Sequence, residues 1–205
     1  MGGTRSFRRP RCRECGLWVE RCICGERPRV TLPTRIVFVS HNRERNKPTN
    51  TGRIAHGLLP GSSLVYYGAR DQPLDTRPLD DPATDYAVLY PREDARVLEP
   101  RDPQFTDPSR RAALVVLDGT WHQCSRMARR AERVRTFPCV QLPPGGPPSR
   151  WGVRQAHAPG LLCTLEAVIR VVALLHGDAL AAPLEAFFER LRVEMMRMKG
   201  KPLLE

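Results

Sequence analysis

The chain has 205 residues, enough for one domain with a sizeable core and a small appendage. Hydrophobic residues make up 41%, as in a globular protein, and 33 Lys/Arg against 22 Asp/Glu leave a formal charge of +11. That excess points to a polyanionic partner. It is concentrated at one end: residues 1–50 hold twelve cationic residues and four Glu, whereas residues 71–107 hold ten Asp/Glu and four Arg.

The N-terminus lacks the apolar core of a secretory signal. The longest apolar run, 161–175, is broken by Thr164, Glu166 and Arg170, and falls short of the ~20 residues that span a bilayer. A cytoplasmic protein without membrane contact is expected, with its seven cysteines reduced. The oligomeric state is not readable, and a monomer is the working expectation.

Residues 1–10 read as a disordered basic arm. Residues 11–30 carry Cys12, Cys15, Cys22 and Cys24 in a C-x2-C-x6-C-x-C pattern. Thiolates so spaced on tight turns can share one ion, and two pairs complete a tetrahedron. A structural zinc knuckle is the reading, with Gly16 and Gly25 turning backbone N–H groups toward the sulfurs. Cys124, Cys139 and Cys163 are scattered and are not expected to be ligands.

Residues 31–200 read as one α/β domain. Thr34–Ser40 is a strand, followed by a polar basic loop, 41–53, with a helix starting near Asn50 or Thr51. Such a loop suits phosphate, and Arg43, Arg45, Lys47, Asn50 and Arg53 are its candidate contacts. Residues 64–67 and 86–90 read as strands, while 71–83 and 99–110 read as polar, Pro-containing surface loops. Leu114–Leu117 is a buried strand, broken by Asp118-Gly119-Thr120 before the helical stripe of 121–135. Asp, Gly and Thr there also serve an ordinary turn and N-cap. Arg126, Arg129 and Arg130 lie largely on the polar face of that helix and suit a phosphate backbone. Residues 137–142 read as a strand and 143–148 as a Pro/Gly loop. Residues 161–175 form a buried helix, with Glu166 and Arg170 at i,i+4 spacing for an ion pair. Residues 183–198 form the closing helix, with Pro183 in its first turn.

Strands alternating with helices imply a mostly parallel sheet flanked by helices, with ligands at the carboxyl ends of the strands. Neither a G-x-G-x-x-G fingerprint nor a P-loop is present, which argues against an ordinary dinucleotide or NTP enzyme.

Several segments together resemble the DTW-domain family over roughly residues 10–195. They are Asp118-Gly119-Thr120-Trp121, the four-cysteine knuckle, Thr49-Asn50-Thr51-Gly52, Leu89-Tyr90-Pro91, Ser149-Arg150-Trp151-Gly152-Val153-Arg154 and Thr164-Leu165-Glu166-Ala167. His41-Asn42 departs from the family's His-Pro, and Trp151 stands where Tyr is common. The resemblance implies a SPOUT-like fold with a knotted cofactor loop in its C-terminal part. It implies transfer of the 3-amino-3-carboxypropyl group from S-adenosylmethionine to N3 of a uridine in tRNA, releasing methylthioadenosine. Leu89, Tyr90, Pro91, Asp118, Gly119, Thr120, Trp121, Arg154 and Thr164 would then bind the cosubstrate. Asp118, Thr120 and Trp121 would be the catalytic group, and Arg150 would meet RNA phosphate.

Uridine N3 has a solution pKa of roughly 9, so a base would assist its attack, and Asp118 is the candidate carboxylate. Thr120 and nearby N–H groups would hold the cosubstrate's carboxylate at the helix N-terminus. Trp121 would stack on adenine or the target base. The target base must be unpaired or flipped out. Two other readings stay open at this point: a SPOUT-type RNA methyltransferase, and a non-catalytic zinc- and RNA-binding module.

Overall fold

The computed structural model describes residues 9–153 and 161–202. Its centre is a six-stranded sheet built from β1 (Arg35–His41), β2 (Ser63–Tyr67), β3 (Asp85–Leu89), β4 (Arg96–Val97), β5 (Ala112–Asp118) and β6 (Cys139–Gln141). The strand order is β2-β1-β5-β3-β6-β4, and every pairing is parallel. The helices are α1 (Thr51–Leu58), α2 (Pro103–Thr106), α3 (Trp121–Arg130), α4 (Thr164–His176) and α5 (Asp178–Met198).

The central strands are apolar and rich in β-branched residues because both faces of a parallel sheet are covered. Alternate residues serve two cores. Ile36, Phe38, Leu114 and Val116 meet the core formed with α1, α4 and α5. Val37, Val39, Val115 and Leu117 face the other, which includes Cys124, Met127 and Ala128 of α3.

The knuckle belongs to the first core, where Cys15, Leu17 and Ile23 are buried with the α4 and α5 side chains. Gly16 has φ +76, and a Cβ there would overlap the Pro48 carbonyl, so only glycine lets the knuckle seat this closely. Of the expected arm, residues 1–8 lie outside the described residues. Arg9 and Pro10 join the knuckle: the Arg9 guanidinium lies over the Trp18 ring and the Pro10 carbonyl accepts the Val19 N–H.

Several expectations are corrected. The loop at 71–83 contains a 3₁₀ turn at Arg77–Leu79, the loop at 99–110 contains the one-turn α2, and the two-residue β4 between them was not expected. Helix α3 ends at Arg130, five residues early, and a 3₁₀ turn at Val134–Thr136 completes the segment. Helix α5 begins at Asp178, which leaves Pro183 in its second turn instead of its first. The Glu166–Arg170 pair does not form: Glu166 is buried against Ser149, Arg150 and Cys163, and Arg170 donates to the Pro147 carbonyl. A knotted loop was expected in the C-terminal part, of which residues 154–160 and 203–205 lie outside the described residues.

Candidate functional site

The carboxyl ends of β5, β3 and β6 open on a cavity of about 360 Å³. This is where open parallel sheets place ligands. Leu89, Tyr90 and Pro91 form one wall, Val116, Leu117, Gly119, Trp121 and Cys124 a second, and residues 141–146 a third. Leu162, Thr164, Ala167 and Arg170 close it from α4 and the segment before it. The rings of Tyr90 and Trp121 are 6.1 Å apart and tilted by 38°, making an aromatic corner. Arg170 is the one charged residue among the described residues lining the cavity.

Six of the nine residues expected to bind the cosubstrate therefore share one cavity: Leu89, Tyr90, Pro91, Gly119, Trp121 and Thr164. Arg154 lies outside the described residues. Thr120 and Asp118 do not line it. Thr120 is the N-cap of α3: its hydroxyl accepts the Gln123 N–H, and its own N–H donates to the Gln123 side chain. That capping box spends the Thr120 N–H and one lone pair of its hydroxyl, leaving the O–H as its remaining donor for a carboxylate.

Asp118 is buried beside the cavity, and both carboxylate oxygens are fully engaged. Oδ2 accepts from Ser40 Oγ at 2.6 Å and Asn50 Nδ2 at 2.8 Å. Oδ1 accepts from the Gly52 N–H at 3.1 Å and Thr164 Oγ1 at 2.8 Å. Four donors fill the lone-pair sites of an ionised carboxylate. They come from β1, the turn before α1, α1 itself and α4, so Asp118 ties these elements to the end of β5. A Cβ on residue 52 would overlap the carboxyl group, which explains the glycine in Thr49-Asn50-Thr51-Gly52. Thr164 is thereby held at the cavity wall.

Asn50, expected at the RNA surface, is buried with its amide spent. It donates to Asp118 and to the Glu44 carbonyl and accepts the Arg53 N–H, so it is a connector. Arg53 also turns inward, donating to the Arg13 and Glu14 carbonyls of the knuckle. Arg150 pairs with Glu185 and Glu189 over the Phe188 ring. Arg43, Arg45, Lys47, Arg126, Arg129 and Arg130 are exposed. Lys47 pairs with the buried Glu44, and Arg45 lies over the Tyr66 ring.

Ser40, Gly52 and Glu166 were missed as site residues. Glu166 accepts from Ser149 Oγ at 2.5 Å, the Arg150 N–H at 2.6 Å and the Cys163 N–H at 3.0 Å. It clasps the segment after the Pro/Gly loop onto the start of α4. Its place in Thr164–Ala167 was visible, but its partners are remote in sequence.

The Sγ atoms of Cys12, Cys15, Cys22 and Cys24 lie within 4.8 Å of one another. The Cys12–Cys24 and Cys15–Cys22 sulfurs are 3.7 and 3.8 Å apart. Tetrahedral coordination with metal–sulfur bonds of ~2.3 Å has sulfur–sulfur edges of roughly 3.8 Å. The four cysteines thus fit one tetrahedral ion. Burial and the crowding of Cys22 and Cys12 push the Cys24 thiol up. Burial opposes ionisation of Cys12 as well, but N–H groups of Cys15 and Glu14 and the neighbouring sulfurs bring it down to about 7. A cation is what would let all four ionise together.

The DTW domain matches residues 9–196. Among solved structures, the SAM-dependent rRNA:acp-transferase Tsr3 from Vulcanisaeta distributa is similar at 17% identity and a TM-score of 0.47. That match covers 83% of this chain and 91% of the other.

Proposed function

The chain belongs to the DTW domain family, and we propose that it transfers the 3-amino-3-carboxypropyl group of S-adenosylmethionine to N3 of a uridine in tRNA, releasing methylthioadenosine. The observation that carries the reading is the cavity at the carboxyl ends of β5, β3 and β6, walled by the family's own segments Leu89-Tyr90-Pro91, Gly119, Trp121 and Thr164. The similar solved enzyme, named as an rRNA acp-transferase, acts on a different RNA class. The choice of tRNA uridine rests on the family resemblance of the sequence.

In this reading the aromatic corner of Tyr90 and Trp121 faces the sulfonium and adenine, since ring faces attract a cation and stack on a base. Arg170 meets the cosubstrate's carboxylate. Leu89, Pro91 and the 141–146 loop exclude water. A sulfonium is already a good leaving group, so the protein mainly has to aim the right carbon at N3. A positioning task of that kind can supply most of the rate. The N3–carbon bond forms as the carbon–sulfur bond breaks, sulfur keeps the electron pair, and N3 gives up its proton to solvent water.

Asp118 has no free lone pair to take that proton. Of the base and orienter roles that the sequence leaves open for Asp118, this geometry favours the orienter, which positions Thr164 and the β5–α3 turn. Cys12, Cys15, Cys22 and Cys24 would hold a structural zinc ion, in a cytoplasm reducing enough to keep them from forming disulfides. No helix among the described residues is long and apolar enough to cross a membrane. The finer SPOUT assignment, with a knotted cofactor loop in the C-terminal part, is part of the same proposal.

Nucleoside mass spectrometry of tRNA incubated with the protein and S-adenosylmethionine tests the reaction. A uridine heavier by about 101 Da is expected, the mass of the transferred group, against about 14 Da for a methyltransferase. An unchanged nucleoside profile across tRNA and rRNA would overturn the reading.

A further inference from the structure

Across Gly119 from the cavity, β1 ends in a group of side chains that cosubstrate binding leaves unused. A Cβ on Gly119 would stand 3.5 Å from the His41 Cβ, so His41 adjoins the cavity wall through its Cβ while its ring turns toward Tyr67 and Gly68 at the end of β2. His41 Nδ1 accepts the Arg43 backbone N–H at 3.2 Å. In a neutral ring this puts the proton on Nε2. Burial and then Arg43 hold the His41 pKa below its usual value, with Arg126 and Lys47 adding to this and Glu44 opposing it. The ring is therefore neutral near pH 7.

His41 Nε2 has no hydrogen-bond partner among the described residues. It faces Gly68, where φ is +84 and any side chain would press on the ring at 3.3 Å. The Tyr67 ring stands edge-on to the imidazole, with centroids 6.3 Å apart. Arg43 from the loop after β1 and Arg126 from α3 both add positive charge in the neighbourhood of this imidazole. Both are exposed, and neither makes an ion pair among the described residues.

We propose that His41, Arg43 and Arg126 form the subsite for the target nucleotide, the two guanidiniums holding its flanking phosphates and the His41 Nε2–H donating to the O4 carbonyl of its base. The inference rests on the RNA-modifying reading above and adds a recognition mode to it. Uracil carries a carbonyl on each side of N3, so a donor on one of them orients N3. Cytosine presents an amino group in place of one of those carbonyls, which a fixed N–H donor would oppose. Guanidiniums suit phosphates by geometry as well as charge.

Bulk tRNA, oligo(U) and oligo(C) are the probes. Combining Arg43→Gln with Arg126→Gln should weaken tRNA binding roughly tenfold at low salt and lower the slope of log affinity against log salt by about two. S-adenosylmethionine affinity, read by calorimetry, should stay unchanged. His41→Ala should lower oligo(U) affinity about three- to tenfold, as loss of one hydrogen bond does, and erase the preference over oligo(C). His41→Gln, which restores an N–H donor, should regain most of it. An unchanged salt slope in the double variant overturns the phosphate contacts. A wild-type chain that binds oligo(C) as well as oligo(U), or a His41→Ala chain that keeps the preference, overturns the base contact. If the wild-type chain binds no S-adenosylmethionine while the variants still lose RNA as described, the transferase reading falls and the subsite stands.

Discussion

Asp118 shows how far a residue's chemistry depends on what surrounds it. An Asp at a strand end, before a helix, satisfies the sequence criteria for a general base. In the fold each of its oxygens meets one hydroxyl and one obligate N–H donor. Asp118→Asn therefore sets its amide nitrogen against either the Asn50 or the Gly52 donor, whichever way it flips. The expected cost is about 1–3 kcal/mol of stability, the price of leaving buried groups unpaired. Urea melts would read that loss, and transfer activity should fall with it. Raising the pH should speed wild type and variant alike as N3 ionises, and so should leave the gap between them open, since no base has been removed. A variant of wild-type stability that closes the gap at high pH would return the base role to Asp118. Nothing local in the sequence announces the four donors, because each comes from a segment far along the chain.

At the scale of elements, the buried strands were legible because a parallel sheet covered on both faces demands apolar, β-branched runs. The short β4 was not, since Arg96 and Val97 are both exposed and two residues carry no period. The start of α5 was missed because Pro183 reads as a first-turn residue, whereas the helix already runs from Asp178. The cavity was half legible. Its β3 and β5 walls carry recognisable segments, while Cys124, Arg170 and the 141–146 loop join them only through tertiary packing. Helix α3 buries Cys124, Met127 and Ala128 and exposes Arg126, Arg129 and Arg130. Replacing these three arginines by Gln should weaken tRNA binding and flatten its salt dependence, measured by titration at several ionic strengths. Cosubstrate affinity should hold. An unaltered slope would make this face merely solvated.

For the whole molecule, the knuckle is part of the main core and reaches the site through Arg53 and Asn50. Elemental analysis should find one zinc per chain, lost more readily as pH falls and the thiolates protonate. Four freely titrating thiols in the native, metal-free protein would contradict this. Acid should also weaken the fold by a separate route. His56 and His176 are held below the usual histidine pKa by burial. The unfolded chain then binds more protons than the folded one as pH drops below about 6.5, so stability is full above that value and is lost as pH falls through the folded pKa values. Thermal melts of a His56→Gln/His176→Gln chain should show a shallower decline between about pH 6.5 and 5 than the wild type.

The central claim is that the carbon chain of S-adenosylmethionine, and not its methyl group, leaves for the RNA. Bulk tRNA incubated with the protein and cosubstrate labelled either at the carboxyl carbon or at the methyl carbon tests this directly. The account predicts that the carboxyl label enters RNA while the methyl label stays with methylthioadenosine. Methyl label in the RNA, or no label from either, would contradict it.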